Sequence, residues 1–490
     1  MLEHLEEGTT ILSPTGEAFT VDGPLASEFE PGDSIIANPH AGLLRIPAAQ
    51  AQIARDSVAQ CVAAFEAMDS VADEQIITFF HKFADALADD ELWRQVEKVN
   101  AVDVLAAKAR GRSTTRLEVS DKMRQNMIDG LRLWATTPSR RDAVLEDIDH
   151  DGFRIELVGA ALGVVAFVFE GRPNVLADAC GVLRGGNAAI FRIGSDALAT
   201  AREIMTLAVR PSLIDAGLPE YAIALIDSAA HASGWALFLD QRLSLAVARG
   251  SGPAVDLLGS LAQSVGTPVS LHGTGGAWIV ASASAEPDSF AEAVTASLDR
   301  KVCNTLNTCC IERTAAPNLV PILLESLQKA ADARGQSFKL HVAEDSIDSV
   351  PSELFNRSVE IVRIEGPRQE DQAQTIAETD LGLEWEWEDS PEVTLIVVDS
   401  IDAGIDLFNQ YSPRLVATLI SRDVDEQQRF WARIRSPFVG DGHTRWVDGQ
   451  LALAKPELGL SNWANGRLFG RGAILTGDSV YTVRTRYVTK

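Results

Sequence analysis

The residue best suited to covalent chemistry is Cys303. It lies in the segment RKVCNTLNTCCI (residues 300–311), in a polar turn between a predicted helix and a predicted strand. Arg300 and Lys301 precede it, and nearby positive charge favours the thiolate, which is the nucleophilic form of cysteine. Cys309 and Cys310 fall inside the predicted strand, where we expect buried and unreactive thiols.

The cysteines and histidines as a set predict neither disulfides nor a metal site. The chain has five cysteines, an odd and sparse number that favours reduced thiols. The sequence contains no CxxC pair and no HxxxH pair, which are common spacings of metal ligands.

The familiar nucleotide-binding and hydrolase motifs are also missing, because the sequence has no GxGxxG, GxxxxGK[ST], GxSxG or HExxH segment. Two glycine-containing turns, 193–196 and 249–252, each follow a predicted strand and precede a predicted helix. Backbone N–H groups at a helix N-terminus bind phosphate, so both turns are candidate phosphate contacts.

The composition is that of an acidic globular protein. The 490 residues include 69 acidic and 43 basic ones, giving a net charge of −26, with 46% hydrophobic and 23% charged residues. These proportions exclude collagen, coiled coil and global disorder, and the length suggests about two to four domains. Because an acidic chain repels phosphate backbones, we expect no nucleic-acid partner, and an anionic substrate needs a local positive pocket.

No segment predicts contact with a membrane. The longest apolar run, 157–169, is too short to span a bilayer. The N-terminus lacks the basic and then apolar pattern of a signal peptide. We therefore predict a cytoplasmic protein without a membrane partner.

The elements that position these residues follow from hydrophobic periodicity. Apolar residues at helical spacing predict a helical layer over 47–134. The run GVVAFVF (163–169) is apolar throughout, which is typical of a strand buried on both faces of a parallel sheet. Strands and helices then alternate at βαβ spacing, which predicts a doubly wound nucleotide-binding sheet followed by a second α/β region from about residue 268.

Seven motifs, all in one order along the chain, resemble those of the γ-glutamyl phosphate reductases (glutamate-5-semialdehyde dehydrogenases), members of the aldehyde dehydrogenase superfamily. They are FEGRPNVLADACGVLRGGNAAIFRIGSDA (169–197), LPE (218–220), RGSG (249–252), VCN (302–304), TRWVDG (444–449), ELGLS (457–461) and GRG (470–472). The resemblance as a whole covers roughly residues 47–490. The resemblance implies an α/β, aldehyde dehydrogenase-like fold with a Rossmann-type cofactor domain, an α/β catalytic domain and a β oligomerisation arm.

The resemblance and the periodicity together divide the chain into four parts. We predict an N-terminal β-rich extension over 1–45 and a nicotinamide-cofactor-binding domain over 46–265, with arm strands near 144–157. A catalytic domain carrying Cys303 follows over 266–449. Residues 450–490 form a return segment that ends in a C-terminal oligomerisation strand. The strands at 144–157 and 479–487 alternate apolar and polar residues, and edge strands of the main sheets are the alternative to an arm.

The resemblance also implies roles for the matched residues. Cys303 matches the catalytic cysteine. Asn174 matches the asparagine whose side-chain amide stabilises the oxyanion together with the Cys303 backbone N–H. Arg192 and Ser195 match positions that line the adenosine ribose.

Further matches complete the predicted site. The loop of Arg249, Gly250 and Ser251 matches the pyrophosphate loop. Glu384, in DLGLE (380–384), matches the carboxylate that holds the nicotinamide ribose. The predicted substrate-binding residues are Arg445, Arg414 and Asn304, and of these Arg445 matches an arginine of the family's substrate pocket.

One segment bears on the type of reaction. Acid-forming members of the superfamily carry a glutamate in an E-L-G-G motif, where it activates water to hydrolyse the thioester. The corresponding segment here, LHGTGG (271–276), has no carboxylate, although His272 is an alternative base. The sequence therefore favours reduction of an acyl phosphate, in which a thiolate displaces phosphate and the thioester accepts a hydride.

The chain departs from the family near the substrate. The family's S-x-H-T appears here as SPRL (412–415), P-A-A before the cysteine as RKV (300–302), and a glutamate four residues after it as Asn307. These changes suggest a divergent paralogue that acts on a different acyl phosphate or on a modified or carrier-bound glutamyl group. Arg414 either binds an additional anionic group or is a surface arginine.

The predicted function is NADPH-dependent reduction of an acyl phosphate, by default L-glutamyl 5-phosphate, to the aldehyde through a Cys303 thioester, as in proline biosynthesis. Arg192 suits the 2′-phosphate of NADPH, and NADH is the alternative cofactor. The partner is a small-molecule acyl phosphate, and the protein is expected to be a homo-oligomer, a dimer or a tetramer. Two alternatives stay open: an aldehyde or acyl-thioester dehydrogenase on another substrate, and a non-catalytic scaffold paralogue whose residues 1–45 dock a partner.

Overall fold

The structure is a computed structural model of the chain. It describes residues 3–13, 15–112, 114, 116–169, 171–363, 366–447, 452–464, 467–468, 470 and 472–490. Four residues of the matched motifs, Glu170, Asp448, Gly449 and Arg471, lie outside the described residues.

The chain forms two compact units. The first unit comprises Met1–Gly273, Lys455–Leu460 and Ile474–Lys490, and the second comprises Thr274–Ala454 and Ser461–Ala473. The first unit extends beyond the expected limit at residue 265 because the strand Val269–His272 pairs in parallel with the strand Leu243–Arg249.

The helices have the following bounds: α1 (Gly23–Glu28), α2 (Ala48–Ala67), α3 (Asp73–Ala88), α4 (Asp90–Ala109), α5 (Asp121–Thr136), α6 (Val175–Ala179), α7 (Leu198–Ile204), α8 (Arg210–Asp215), α9 (His231–Phe238), α10 (Gly252–Ser264), α11 (Pro287–Ala296), α12 (Ala316–Asp332), α13 (Ile401–Tyr411) and α14 (Val424–Arg433).

The strands have the following bounds: β1 (Thr10–Leu12), β2 (Ala18–Thr20), β3 (Ser34–Asn38), β4 (Gly42–Ile46), β5 (Val144–His150), β6 (Phe153–Ala160), β7 (Val164–Phe169), β8 (Ala188–Ile193), β9 (Ile223–Leu225), β10 (Leu243–Arg249), β11 (Val269–His272), β12 (Ala277–Ala281), β13 (Leu306–Glu312), β14 (Lys339–Ala343), β15 (Ser358–Arg363), β16 (Gly366–Asp371), β17 (Ala373–Ile376), β18 (Glu392–Val398), β19 (Val416–Ile420), β20 (Phe438–Gly440), β21 (Glu457–Gly459), β22 (Trp463–Ala464), β23 (Arg467–Leu468), β24 (Leu475–Thr476) and β25 (Thr482–Thr489).

The first 46 residues contain two hairpins, β1–β2 and β3–β4. The carboxylate of Asp33 fastens the second hairpin: it accepts from Arg45 Nε at 2.7 Å and from the Ala48 N–H, at the start of α2, at 2.8 Å. The extension is therefore tied to the first helix of the layer that follows it.

The helical layer over 47–134 consists of α2 to α5, as the periodicity predicts. The apolar stripe of α3 is fully buried and includes Phe79, Phe80 and Phe83. Helices α4 and α5 begin where side chains satisfy their first N–H groups: Asp89 accepts from Glu91 and Leu92, and Ser120 accepts from Met123.

The first unit contains a five-stranded parallel sheet in the order β11-β10-β7-β8-β9. The chain begins this sheet at β7, adds β8 and β9 on one side, and returns to add β10 and β11 on the other. The strand order therefore reverses between β7 and β10, and ligands of such sheets bind outside the carboxyl ends of the strands at this reversal. Every residue of β7 is buried, as its continuous apolar run predicts.

A separate antiparallel sheet of the same unit contains the predicted arm strands, β5 and β6, and the C-terminal strand β25, in the order β25-β6-β5. Arg486 of β25 donates to Glu156 of β6 through Nε at 2.7 Å, and this hydrogen bond is the largest influence that lowers the pKa of Glu156. All of β5 and most of β25 are exposed.

The second unit is built on a seven-stranded parallel sheet in the order β17-β14-β18-β13-β12-β19-β20. Cys309 and Cys310 are fully buried in its central strand β13, and burial raises the pKa of both thiols, that of Cys310 to about 12. The strand β15 lies in the β15–β16 hairpin and not in the main sheet. Arg363 at its end pairs with Glu370 of the hairpin and with Glu392 of β18, which favours the hairpin arrangement.

Among the described residues, no helix combines the length and the apolar character needed to cross a membrane.

Asn187 links three segments of the first unit, and its side chain makes every hydrogen bond available to it. Its Oδ1 accepts from the N–H groups of Leu162 (2.8 Å) and Gly163 (3.2 Å). Its Nδ2 donates to the carbonyls of Val182 (3.0 Å) and Val480 (2.7 Å). The residue is completely buried, so it fixes the start of β7 and the C-terminal segment before β25.

We predict that Asn187→Ala lowers the free energy of unfolding by about 3 kcal/mol or more, because it leaves several buried polar groups without partners. Urea denaturation of the full chain measures the change. Asn356→Ala is the control, since Asn356 is exposed and donates only to Ser352. Equal losses in the two variants would contradict the assignment.

Candidate active site

In the first unit, the predicted residues gather where the strand order reverses. Arg249 ends β10, and its Nη1 donates to the Glu457 carbonyl at 3.1 Å while its guanidinium lies 5.9 Å from the ring centroid of Phe169, the last residue of β7. Gly250 donates its N–H to the His272 carbonyl at 3.2 Å, and Ser251 is the N-cap of α10. The turn at 249–252 thus leads into the N-terminus of a 13-residue helix.

Asn174 immediately precedes the short helix α6 on the segment that follows β7. Its side-chain Nδ2 donates to Asp178 Oδ2 at 2.8 Å. The orientation of the predicted oxyanion donor is therefore determined by a carboxylate one helical turn away.

The same region supplies the local positive charge that an anionic substrate requires. Arg249, Arg172 and Arg116 all act on His272, which is buried at the end of β11. Burial, followed by these three guanidinium groups, holds the pKa of His272 well below its usual range. The imidazole is consequently neutral at physiological pH.

Arg192 and Ser195 follow each other at the carboxyl end of β8. Arg192 is 5% exposed, donates from Nη2 to the Ala229 carbonyl at 3.1 Å, and its Nε has no hydrogen-bond partner among the described residues. Burial, then Arg192 and Arg112, lowers the pKa of His231. A buried guanidinium whose Nε–H lacks a partner in the described part of the chain suits an anionic ligand such as a phosphate.

In the second unit, Cys303 occupies a turn directly before β13 and is partly buried. Thr305 ties this turn together, because its Oγ1 donates to the Arg300 carbonyl at 2.6 Å and accepts from the Val302 N–H at 2.8 Å. The nucleophile candidate is therefore presented by a short turn with its own internal hydrogen bonds.

The segment 274–276 packs its backbone directly on Cys303. The Gly276 N–H donates to the Cys303 carbonyl at 2.6 Å. A Cβ on Gly275 would lie 2.4 Å from the Cα and the carbonyl oxygen of Cys303, so only glycine fits at this position. This segment carries no carboxylate.

Asn304 and Arg445, two predicted substrate residues, contact each other. Arg445 donates from Nη1 to Asn304 Oδ1 and from Nε to Asp299 Oδ1 at 2.6 Å. Thr444 Oγ1 donates to the Asn304 carbonyl at 2.7 Å. Both predicted residues are buried and fasten the Cys303 turn, and Asn304 Nδ2 is left without a hydrogen-bond partner in the described part of the chain.

Glu384 lies between two groups that flank the cysteine. Its Oε2 accepts from the Gly275 N–H at 2.5 Å, and its Oε1 accepts from Lys301 Nζ. The Lys301 ammonium, which the sequence suggested as a neighbour of the thiolate, thus forms an ion pair with side chains only 8% and 12% exposed. A carboxylate has about four acceptor positions, so Glu384 retains sites for a ribose hydroxyl.

Asn307 braces the segment that carries Glu384. Its Nδ2 donates to the Leu383 carbonyl at 2.8 Å, and its Oδ1 accepts from the Trp385 N–H at 2.9 Å. The glutamate that the family has at this position cannot make both contacts, because a carboxylate only accepts.

Arg414 contacts the helix that precedes it, α13. Its Nε and Nη2 donate to the Asn409 carbonyl near the C-terminus of α13, at 3.1 and 2.6 Å. Its φ of 57° is in the left-handed region, which is unusual for a residue with a side chain.

The comparisons with known proteins agree with these motifs. No family model matches the chain. The γ-glutamyl phosphate reductase of Brucella anthropi is 28% identical over 388 residues, which cover 77% of this chain and 82% of that protein.

Two solved structures share the fold. The γ-glutamyl phosphate reductase of Thermotoga maritima has a TM-score of 0.76 at 20% identity, covering 89% of this chain and 98% of its own. An acetylating aldehyde dehydrogenase from Geobacillus thermoglucosidasius has a TM-score of 0.62 at 13% identity, covering 90% and 97%.

The chain is similar to the γ-glutamyl phosphate reductases. The predicted resemblance and the aldehyde dehydrogenase-like α/β fold are both confirmed.

Within this reductase-like fold, several residues of the site were missed by the sequence analysis. Asp178 lies four residues after Asn174, and that spacing alone was a usable signal. The partnership of Lys301 with Glu384 and the brace by Asn307 join residues about 80 positions apart. No local pattern reveals such pairs.

The Lys301–Glu384 ion pair tests how much the contacts around Cys303 stabilise the fold. We predict that Lys301→Met lowers the free energy of unfolding by about 3–5 kcal/mol, because it leaves a buried carboxylate without its cation. The double variant Lys301→Met, Glu384→Met removes both charges and should recover most of that loss. Urea unfolding of the variants gives the coupling energy.

Arg313→Met is the matched control, since Arg313 and Asp399 form an ion pair in the same unit with side chains 54% and 82% exposed. Its loss should stay below about 1 kcal/mol. Strictly additive losses in the Lys301, Glu384 cycle would mean that the two charges do not stabilise one another.

Proposed function

We propose that this protein reduces an acyl phosphate to an aldehyde with NADPH, as in proline biosynthesis, and that the default substrate is L-glutamyl 5-phosphate. The observation that carries the proposal is the 28% identity over 77% of the chain to a γ-glutamyl phosphate reductase. The motif resemblance, which matches Cys303 to the family's catalytic cysteine, supports it. The firmly packed turn around Cys303 supports the same conclusion.

In the proposed mechanism the Cys303 thiolate attacks the acyl carbon and phosphate leaves, which gives a thioester. A bound nicotinamide cofactor supplies the hydride that reduces this thioester. The resulting hemithioacetal releases the aldehyde and restores the thiolate. The Asn174 side-chain amide and the Cys303 backbone N–H stabilise the oxyanion in each step, and one such donor contributes about 3–4 kcal/mol.

Reduction is favoured over oxidation to an acid because the segment 274–276, which packs on Cys303, offers no base to activate water. Gly275 and Gly276 occupy that position with backbone alone. The nearest assigned carboxylate, Glu384, already accepts from Lys301 and from Gly275. His272 has a strongly lowered pKa from burial and surrounding arginines, which makes it a poor base.

We assign cofactor contacts to the residues that the motif resemblance matches. Arg249, Gly250 and Ser251 hold the pyrophosphate at the N-terminus of α10, and Glu384 holds the nicotinamide ribose. Arg192 and Ser195 line the adenosine ribose, and the buried guanidinium of Arg192 supports a preference for the 2′-phosphate of NADPH over NADH.

We assign substrate contacts to Asn304, Arg445 and Arg414. Asn304 has an amide N–H that the described residues leave without a hydrogen bond, and Arg445 fixes the orientation of that amide. Arg414 replaces a family histidine, which supports a divergent paralogue whose acyl group carries an additional anionic function.

The arm sheet supports assembly into a homo-oligomer, a dimer or a tetramer. Its two outer strands, β5 and β25, pair on one side only with the strands that the structure describes, and they expose Val144, Ile148 and Tyr487. Such an edge is a template on which a strand of a second copy can pair.

The reaction is tested from the aldehyde side, because the acyl phosphate is unstable. Protein with NADP+, inorganic phosphate and L-glutamate 5-semialdehyde should generate NADPH absorbance that requires phosphate. Cys303→Ala should lower the rate by about a thousandfold or more, since the nucleophile is removed. Cys61→Ala, a buried thiol outside the site, should retain activity.

Other outcomes select the alternatives. A signal that requires coenzyme A indicates an acyl-thioester dehydrogenase, and a signal that needs neither acceptor indicates an acid-forming dehydrogenase. Absence of any signal in a protein that binds NADPH and is alkylated at Cys303 rejects the default substrate. Absence of binding and alkylation as well favours the non-catalytic scaffold.

The cofactor assignment predicts a selective effect at Arg192. Arg192→Gln should weaken binding of NADPH about tenfold or more and binding of NADH less than about twofold, because a charge-assisted contact to the 2′-phosphate is lost. Fluorescence titration of the full chain measures both dissociation constants. Arg202→Gln, at an exposed ion pair with Asp227, is the control, and equal weakening of both cofactors by Arg192→Gln would contradict the assignment.

A further inference from the structure

The contact between Asn174 and Asp178 has a chemical consequence beyond simple packing. An asparagine side chain has an oxygen end and an NH2 end of nearly the same shape, and only its hydrogen-bond partners decide which end faces which way. An ionised carboxylate accepts and does not donate. The 2.8 Å contact with Asp178 Oδ2 therefore selects the Nδ2 end of Asn174, uses one of its N–H groups and fixes the direction of the other.

The surroundings of Asp178 make this selection sensitive to protonation. The charged and titratable groups that face its carboxyl are Arg249 from β10, Arg172 from the segment before α6, and the buried Cys180 thiol on the following turn. Burial raises the pKa of Asp178 to about 6, against the opposing pull of Arg249, Asn174 and Arg172. A protonated Asp178 donates to Asn174 Oδ1 equally well, so the amide loses its unique orientation.

We propose that Asp178 is a positioning residue that orients the Asn174 amide as an oxyanion donor, an assignment that rests on the proposed function. Asp178 does not touch the reacting atoms. It acts by fixing which end of the Asn174 side chain is the donor end, and the proposed function makes that end a donor to the oxyanion.

Two reactions of the same thiol separate this role from a general structural one. In acylation by p-nitrophenyl acetate, the Cys303 sulfur attacks the ester carbonyl, an oxyanion forms, and the C–O bond to p-nitrophenolate breaks. In alkylation by iodoacetamide, a C–S bond forms as the C–I bond breaks, and no oxyanion arises. The ratio of the two rates cancels the thiolate fraction and reports the oxyanion donor.

The test uses the full chain with Asp178→Asn, which keeps the size of the side chain and removes its charge. We expect the acylation rate to fall about tenfold or more while the alkylation rate is unchanged. In the unsubstituted protein the ratio should decline as pH falls through about 6, and in Asp178→Asn it should be independent of pH. The matched control is Asp129→Asn, because Gln125 Nε2 donates to Asp129 at 2.8 Å with the same spacing on an exposed face of α5.

Thermal stability supplies a second readout. The folded-state pKa of Asp178, about 6, lies above its ordinary value of 3.8, so its contribution to stability is present below pH 3.8 and is lost as pH rises through 6. Asp178→Asn cannot ionise and should therefore melt at pH 8 at least as high as the unsubstituted protein. A purely structural role predicts a lower melting temperature instead.

The outcomes are distinct. An unchanged ratio in Asp178→Asn overturns the inference and leaves the proposed function intact. A parallel fall in both rates also overturns it, because Asp178 would then act on the Cys303 turn as a whole. Failure of p-nitrophenyl acetate to acylate Cys303 in the unsubstituted protein overturns it as well, and the phosphate-dependent assay independently decides the proposed function.

Discussion

The backbone contact between Gly275 and Cys303 determines the arrangement of the second unit around the nucleophile. A side chain at residue 275 would overlap the cysteine backbone, and the Gly276 N–H binds the Cys303 carbonyl at 2.6 Å. With the glycines at these positions, the Gly275 N–H donates to Glu384. Glu384 in turn accepts from Lys301, which lies two residues before the cysteine. The position of the expected ribose-binding carboxylate is therefore a consequence of how the nucleophile is packed.

A second constraint is the distribution of charge over the chain. The chain carries a net charge of −26, yet Arg172, Arg249 and Arg116 act together on His272 in the first unit. Concentrated positive charge beside the strand reversal gives an acidic protein one region that attracts anions. Two of these arginines, Arg249 and Arg172, oppose the effect of burial on Asp178, so its pKa rises only to about 6 and its carboxylate is ionised under neutral conditions.

The sequence predicts most of what depends on local spacing. Helix bounds at 48–67, 73–88 and 90–109 follow from periodicity and caps, and the fully apolar β7 follows from its composition. The buried thiols in β13 were also predictable, since a strand interior shields them. Contacts between distant residues were not: Asn187 meets Val480 across 293 positions, and the β15–β16 hairpin depends on Arg363 reaching Glu392. Such pairs are fixed by the tertiary fold, and a single sequence gives no spacing from which to infer them.

The residues at which the sequence departs from the family pattern can be interpreted through their hydrogen-bond partners. Asn307 replaces a glutamate and makes a donor and an acceptor contact on either side of Glu384, which a carboxylate cannot do. Lys301 replaces a small residue and neutralises that same Glu384. Both side chains thus act on the same carboxylate or on the segment that carries it. Arg414 is different, because its guanidinium donates to the Asn409 carbonyl, and any anionic group that bound there would have to compete with that carbonyl for the same N–H groups.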